Sequence, residues 1–404
     1  MVAFPQRFRE TEALNRRAGR ALRLVAGVRE PDPALLDTIG ARLLCRDEVG
    51  AALVRAMRAG TVTMAQFRQA LDGGTAPPPD APEPLRAFFA AVEATPDWVD
   101  FDRVNEGARV ARRFGTNGSD VLLQLALIGS YRYGGPSDLL VATGGLTGGS
   151  AVRRLAETQH WAVAVTGPDA MRRTGAGFRL TVQVRLMHAM VNQRFETGGR
   201  WDTARWGLPV NQADQAATLG LFSGVQLLGV RLLGVRVSRA ESGAFMHLWR
   251  YVGWLLGVDE DWLCRTEREQ HRHNYHQLLT QSYGGAAGPP LAGALVAAQR
   301  TLHFGHFAGV RGRYARARLL SMLRYFLGKG GVRDLGLPVS LPWAVPPIVA
   351  ANLLRYQLLA RTPAGRAYLE RWGDRSAQRQ LRRYFGTESR ELGLRPLRTE
   401  ASAA

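Results

Sequence analysis

The stretch with the clearest potential for chemistry runs from Phe178 to Phe195 and has one histidine, His188, among aliphatic residues. It lacks glycine and proline, which predicts one continuous helix. Helical spacing puts Arg185 and His188 on one mostly apolar face, one turn apart. An imidazole in such surroundings is a common axial ligand of haem iron, and a nearby arginine could pair with a haem propionate. The rest of that face consists of Thr181, Val184, Val191, Asn192 and Phe195.

A plainer interpretation fits the same pattern. His188 could be a core histidine hydrogen-bonded to a backbone carbonyl, and the residues alone favour this alternative because buried polar groups usually find ordinary partners.

A second helix, predicted from residue 152 to residue 165, brings together Arg154, Glu157, Thr158 and Trp161 at positions i, i+3, i+4 and i+7. Three polar side chains beside a tryptophan are unusual for a plain core face, so these residues are a candidate site. The alternative is an amphipathic edge in which Arg154 and Glu157 form a surface ion pair worth little.

A glycine-rich segment comes before this helix. A turn at Gly134 and Gly135 leads to Asp138 and the start of another helix. No lysine follows the glycines and no strand precedes them, so a phosphate loop is a weak interpretation. Close backbone packing against a flat ligand or a helix fits better. The remaining glycines of the segment are Gly144, Gly145, Gly148 and Gly149.

The best cluster of potential metal ligands contains His271, His273 and His276 together with Glu267 and Glu269. Glu267 and His271 are one turn apart, but His271 and His273 point to different faces of a helix. A zinc or di-iron site is the functional hypothesis. The chain has no second carboxylate–histidine repeat that would complete a two-metal site.

The net charge of +19 over 404 residues invites a nucleic-acid interpretation. Lys329 is the only lysine, however, and the arginines are scattered rather than massed with aromatic residues. We therefore expect no nucleic-acid partner, while weak attraction to anionic lipid and peripheral membrane contact stay open.

The longest uncharged stretch, from Leu335 to Leu354, is long enough to span a bilayer but contains four prolines, which would break a spanning helix. It is expected to be buried or to lie on a membrane surface. No secretory signal is visible, because arginines interrupt the apolar run that would have to follow Arg16 and Arg17. A cytoplasmic protein, with membrane association left open, is the resulting expectation.

Almost no segment alternates as a strand does, so the fold is predicted to be all-α. The proline-rich run at residues 76–84 suggests a boundary between an N-terminal helical extension, 1–84, and a larger domain, 85–404. Asp97 or Asp100 and Asn211 are expected to cap helices.

Five motifs, taken together and in order, resemble one known family. Over roughly residues 90 to 275 the chain resembles the rubber oxygenase (latex clearing protein) family, part of a wider group that includes fungal enzymes cleaving prenyl side chains. The resemblance implies a globin-like helical core with flanking helices around a non-covalent b-type haem. The motifs are, in order, YRYGGPSDLLVATGGLTGG, RRLAETQHW, VRLMHAMVNQRF, WGLPVNQADQAATLGLFS and HLWRYVGWLLGVDEDWL.

The resemblance implies roles for three residues around the haem. His188 matches the histidine that ligates the iron, and Arg185 matches an arginine near the haem. Thr218 matches a threonine on the next helix that faces the distal pocket. The resemblance therefore reverses the preference for a structural His188.

On the distal side, Arg154, Glu157 and Thr158 match a motif in which rubber-cleaving enzymes can place a lysine at the position of Glu157. A carboxylate there changes the local charge. Asp138 is the nearest match to the acidic residue that acts as the base in rubber cleavage, and it is one methylene shorter than glutamate.

The implied activity is that of a ferrous-haem oxygenase that uses O₂ to cleave a C=C bond in a hydrophobic alkene, such as an isoprenoid, a lipid chain or a polymer. One alternative is a haem-binding sensor or carrier without turnover. Another is a non-haem metal enzyme built on His271, His273 and His276, and a basic nucleic-acid binder comes last.

Overall fold

The computed structural model describes residues 4–74, 76–144 and 148–386. Within these ranges the chain is helical, and its only β-pairing is an isolated bridge between Tyr133 and Tyr283. The prediction of an all-α fold is therefore confirmed. None of the described helices is both long enough and apolar enough to cross a membrane.

The N-terminal helices pack into the same core as the rest of the chain. Ile39, Leu53 and Phe67 share one apolar cluster with Val182 and Leu186. The boundary at residue 84 stays a prediction, and the residues on its two sides share this cluster. The helices are α1 (Glu12–Ala18), α2 (Arg20–Ala26), α3 (Pro33–Arg42), α4 (Glu48–Arg58), α5 (Met64–Asp72) and α6 (Glu83–Glu93).

The central part of the chain carries the predicted site. Asp100 and Asn211 cap the helices that follow them, as predicted, by accepting hydrogen bonds from backbone N–H groups. The elements are α7 (Phe101–Phe114), α8 (Thr116–Val121), a π-helical stretch (Leu122–Ile128), α9 (Pro136–Ala142), α10 (Gly148–Ala164), α11 (Ala176–Thr197), α12 (Thr203–Trp206), α13 (Gln212–Gly220), a second π-helical stretch (Leu221–Val225), α14 (Gln226–Leu232) and α15 (Arg239–Leu255).

Two features of this part need comment. The apolar run that ends at Ile128 is mostly buried, and most of it is a π-helix, a form found mostly as short insertions and often near functional sites. Of the predicted glycine-rich segment, Gly144 follows α9 and Gly148 begins α10, whereas Gly145 lies outside the described residues.

Two helices of the C-terminal part pack against α10. As predicted, prolines prevent one long helix over 335–354: Pro338 and Pro342 lie in irregular chain, and Pro346 and Pro347 lie in the first turn of α19. The elements are a 3₁₀ turn (Glu260–Trp262), α16 (Glu267–Thr280), α17 (Gly288–Ala298), α18 (Ala308–Asp334), α19 (Val345–Leu358), a second 3₁₀ turn (Leu359–Arg361) and α20 (Pro363–Phe385).

Candidate functional site

Trp161 is the contact point of the helices that carry the candidate residues. Its Nε1 donates a hydrogen bond of 3.0 Å to Thr181 Oγ1 on α11. Its ring meets Phe222 edge-on with the centroids 5.3 Å apart, and Phe222 lies one turn after Thr218. Helices α10, α11 and α13 with its π-helical continuation therefore converge at Trp161.

The hydrogen bond between Trp161 and Thr181 is a reference point for the positions of the candidate residues along α10 and α11. Arg154 lies seven residues before Trp161, and His188 lies seven residues after Thr181. At the rise of an α-helix, each stands about 10 Å from the Trp161–Thr181 hydrogen bond. Gly177 lies against Val165, just as Thr181 lies against Trp161, so the two helices run in opposite directions. Arg154 and His188 therefore lie on the same side of that bond.

Helix α11 has two different long faces. Thr181, Arg185, Asn192 and Phe195 are buried in the core. The neighbouring stripe is apolar apart from His188 and is half-buried or exposed; it consists of Leu180, Val184, Met187, His188 and Val191. The predicted single face is thus split, and His188 belongs to the partly open side.

The His188 imidazole has the protonation state that a metal ligand needs. Burial lowers its pKa, against opposing contributions from the Gln215 side chain and the Asp47 charge, so the ring is neutral at neutral pH. Its Nδ1 is buried and has no hydrogen-bond partner among the described residues. The backbone carbonyl partner of the plainer interpretation is therefore not found at Nδ1. A neutral imidazole with an unpartnered nitrogen, in an apolar stripe, fits axial ligation of a haem iron.

Arg185 is held by a carboxylate of the protein itself. Its Nε and Nη2 donate to the two oxygens of Asp47 over 2.7 and 2.8 Å, and the guanidinium stacks over the Phe88 ring. This bidentate pair anchors α11 to the start of α4. The Arg185 guanidinium is thus paired with Asp47, and its proposed contact with a haem propionate stays a prediction.

Arg154 ties α10 to the C-terminal end of α9. It donates to the carbonyls of Leu140 and Thr143 over 3.3 and 3.0 Å and to Thr143 Oγ1 over 2.7 Å. Burial lowers its pKa, while the nearby Tyr131 and Glu157 act in the opposite direction. Because α9 also carries Asp138, Arg154 holds that helix in place relative to α10.

Glu157 forms an ion pair with Arg153, whereas the amphipathic-edge interpretation expected Arg154. Arg153 Nε donates to Glu157 Oε1 over 2.8 Å, one turn away on the same helix, whereas Arg154 faces α9. Both members of the pair are partly exposed, so it contributes little to stability. Thr158 is half-buried on the next position.

Asp138 and Thr218 both make local hydrogen bonds. Asp138 Oδ2 accepts from Gly135 N over 2.9 Å and so caps the N-terminus of α9. Thr218 is exposed, and its Oγ1 donates to Asp214 O one turn earlier over 2.8 Å. Neither bond excludes a further role, and their assigned functions stay predictions.

The histidines of α16 have separate structural roles. His271 contacts Glu267, and His276 uses both ring nitrogens on backbone groups, those of Asp32 and Arg272. His273 packs edge-on against Trp262. Within the described residues, no group of three or more His, Cys, Asp or Glu side chains could hold a metal ion, so the zinc or di-iron hypothesis gains no support.

His273 should instead make stability pH-dependent. Burial, and to a lesser degree His276, lowers its pKa from 6.5 to about 4. The folded state therefore binds the proton less readily than the unfolded state. The contribution of the neutral His273 to the free energy of unfolding is fully present above pH 6.5 and is lost as the pH falls towards 4. The variant His273→Phe keeps the ring contact. Urea unfolding measured across this pH range should show that the variant loses up to about 3 kcal/mol less free energy of unfolding than the wild type does. An unchanged slope would contradict the assignment.

Residues 113–362 match the profile of a known family. The catalytic-domain profile described as "ER-bound oxygenase mpaB/B'/Rubber oxygenase" matches residues 113–362, which is more than half of the chain. The chain belongs to this oxygenase family. The match contains α9, α10, α11 and α13, which carry all the predicted site residues.

Individual relatives agree with this assignment. The rubber oxygenase of Streptomyces sp. (strain K30) is 25% identical over 201 residues, which are 49% of this chain and 47% of the relative. The aligned stretch thus spans about half of that relative's length. The solved structure of the latex clearing protein LCP in the closed state matches with a TM-score of 0.56, covering 83% of this chain and 91% of that one at 20% identity.

Two residues near His188 were missed by the sequence analysis. Asp47 lies 138 positions before Arg185, and no local pattern connects the two. Gln215 lies three residues before Thr218 on α13, so the helical spacing could have indicated it. Both act on the imidazole electrostatically or by hydrogen bonding.

Proposed function

We propose that this protein is a b-type haem-dependent oxygenase that uses O₂ to cleave a C=C bond in a hydrophobic alkene. The observation that carries the proposal is the neutral His188 imidazole, with its unpartnered buried Nδ1, in the apolar stripe of α11. Membership of the oxygenase family supports the reaction class. The rubber oxygenase relative supports an isoprenoid or polyisoprene substrate.

His188 would hold the iron, and the apolar stripe around it would contact the porphyrin. Val184, Met187 and Val191 offer that contact without hydrogen-bonding groups. Thr218, exposed on α13, would line the distal side. A bound haem supplies the ferrous iron at which O₂ is activated.

The chain's own polar residues would position and move a proton. Asp138 is the proposed base, which would take an allylic proton of the alkene onto a carboxylate oxygen within hydrogen-bond reach. Its bond to Gly135 N fixes the side chain, and Arg154 fixes α9 itself. Glu157, held by Arg153, would place a negative charge near the substrate, and Thr158 beside it would offer a hydroxyl.

An absorption spectrum and a turnover assay test the proposal together. The purified protein is expected to show a Soret band that shifts on reduction with dithionite and again with CO. Incubation with polyisoprene or a shorter unsaturated isoprenoid should consume O₂ and release carbonyl products. Haem without O₂ consumption would instead support a sensor or carrier, and a colourless protein from haem-replete cells would refute both.

The variant Asp138→Asn tests the base. Asparagine keeps an oxygen for the bond to Gly135 N, so the fold and the Soret band should persist while kcat falls roughly 100-fold. The matched control is Asp100→Asn, which makes the same change at the cap of α7 and should leave kcat unchanged. Equal activities of the two variants would remove Asp138 from the mechanism.

A further inference from the structure

An apolar ridge lies on the outside of the C-terminal helices. Phe307 and Leu341 are each 79% exposed, and Leu354 and Leu358 are 65% and 64% exposed. Contiguous exposed apolar surface of this kind usually marks an interaction site. We define the ridge as Phe307, Val310, Tyr314, Leu341, Trp343, Leu354 and Leu358.

One ring contact joins the part of the ridge on α18 to the part before α19. Val310 and Tyr314 lie one turn apart in α18, and Phe307 is the residue just before that helix. The Tyr314 ring contacts the Trp343 ring with the centroids 5.8 Å apart, and Trp343 lies two residues before α19. Leu354 and Leu358 are exposed one turn apart further along α19.

The chain segment that carries the ridge is strongly basic in sequence. From Gln270 to Leu369 the only acidic residue is Asp334, against twelve arginines and lysines. Arg313, next to Tyr314, and Arg361, three residues after Leu358, are both exposed. Arg361 also lines a pocket that contains Glu106, Glu241 and Glu370. Aromatic and aliphatic side chains bordered by basic ones are the composition of surfaces that insert into the headgroup region of anionic membranes.

We propose that the ridge docks this protein on the surface of an anionic lipid bilayer, without crossing it. Apolar side chains would enter the boundary between headgroups and acyl chains, and the arginines would contact lipid phosphates. A second copy of the chain is a poorer occupant, because a two-fold contact would bring the same positive charges together. A neutral polymer would leave the arginines without counter-charges.

Vesicle sedimentation tests this proposal on the full-length protein. Binding should be strong to phosphatidylcholine mixed with phosphatidylglycerol, weak to pure phosphatidylcholine, and reduced by salt. The pair Arg313→Gln/Arg361→Gln should weaken binding roughly tenfold or more. The pair Leu354→Ser/Leu358→Ser should weaken it by a similar factor.

Matched controls separate the ridge from total charge and total hydrophobicity. Arg17→Gln/Arg20→Gln removes the same charge from the N-terminal helices, and Leu24→Ser removes an exposed leucine there; both should bind as the wild type does. Equal binding to the two vesicle types, or equal losses in the controls, would overturn the proposal. A dimer seen by light scattering that only the ridge variants dissociate would also overturn it. The same holds if the ridge variants lose binding to polyisoprene particles but not to vesicles.

Discussion

Replacing His188 with alanine is expected to strip the purified protein of haem. The substitution removes the proposed iron ligand and leaves the apolar stripe of α11 in place. Loss of a group that merely supports a metal ligand already weakens metal binding by roughly 10–100-fold, so loss of the ligand should cost at least 100-fold. The readout is the ratio of Soret to protein absorbance after purification, with helicity by circular dichroism to show that the fold persists.

Two comparisons make this result specific. His306→Ala removes an exposed histidine and should keep the full Soret band. Free imidazole added with haem to the His188→Ala protein should restore the band, because it can enter the space that the side chain leaves. A structural histidine would give no such rescue. A full Soret band in the His188→Ala protein without added imidazole would contradict the assignment of His188 as the iron ligand.

Local patterns were enough to predict the helices that carry the site. The lack of glycine and proline between Phe178 and Phe195 predicted a helix that is observed as Ala176–Thr197. Asn211 was correctly identified as a cap, and Asp100 was one of two candidates with Asp97, because a cap depends on backbone groups only two or three residues away. Such contacts lie within one turn, and a single sequence shows them directly.

Long-range pairing was not predictable in the same way. Helical spacing put Arg185 and His188 on one face, but it could not show that Arg185 turns towards Asp47 in a segment far away in the sequence. Nor could it show that Trp161 joins three helices through Thr181 and Phe222. The histidines of α16 formed the best sequence cluster for a metal, yet packing gave each of them a different partner.

The buried pair of Asp47 and Arg185 should be the most costly single contact to break near the site. The two side chains are only 13% and 7% exposed, and Asp47→Ala would leave the guanidinium buried without its counter-charge. Breaking such a pair typically costs about 3–5 kcal/mol. Urea unfolding of the wild type and the variant measures the difference. Loss of the carboxylate also removes a charge that raises the pKa of His188, so that pKa should fall further in the variant.

The neighbouring residue provides the control, and a double variant separates charge from packing. Glu48 also contacts an arginine, Arg46, but is 67% exposed, so Glu48→Ala should cost less than about 1 kcal/mol. Asp47→Ala/Arg185→Ala removes both charges, and its cost should be smaller than the sum of the two single costs, since no ion is left unpaired. Additive costs would mean that the two residues stabilise α11 independently, and Arg185 would then be available to bind a cofactor rather than committed to Asp47.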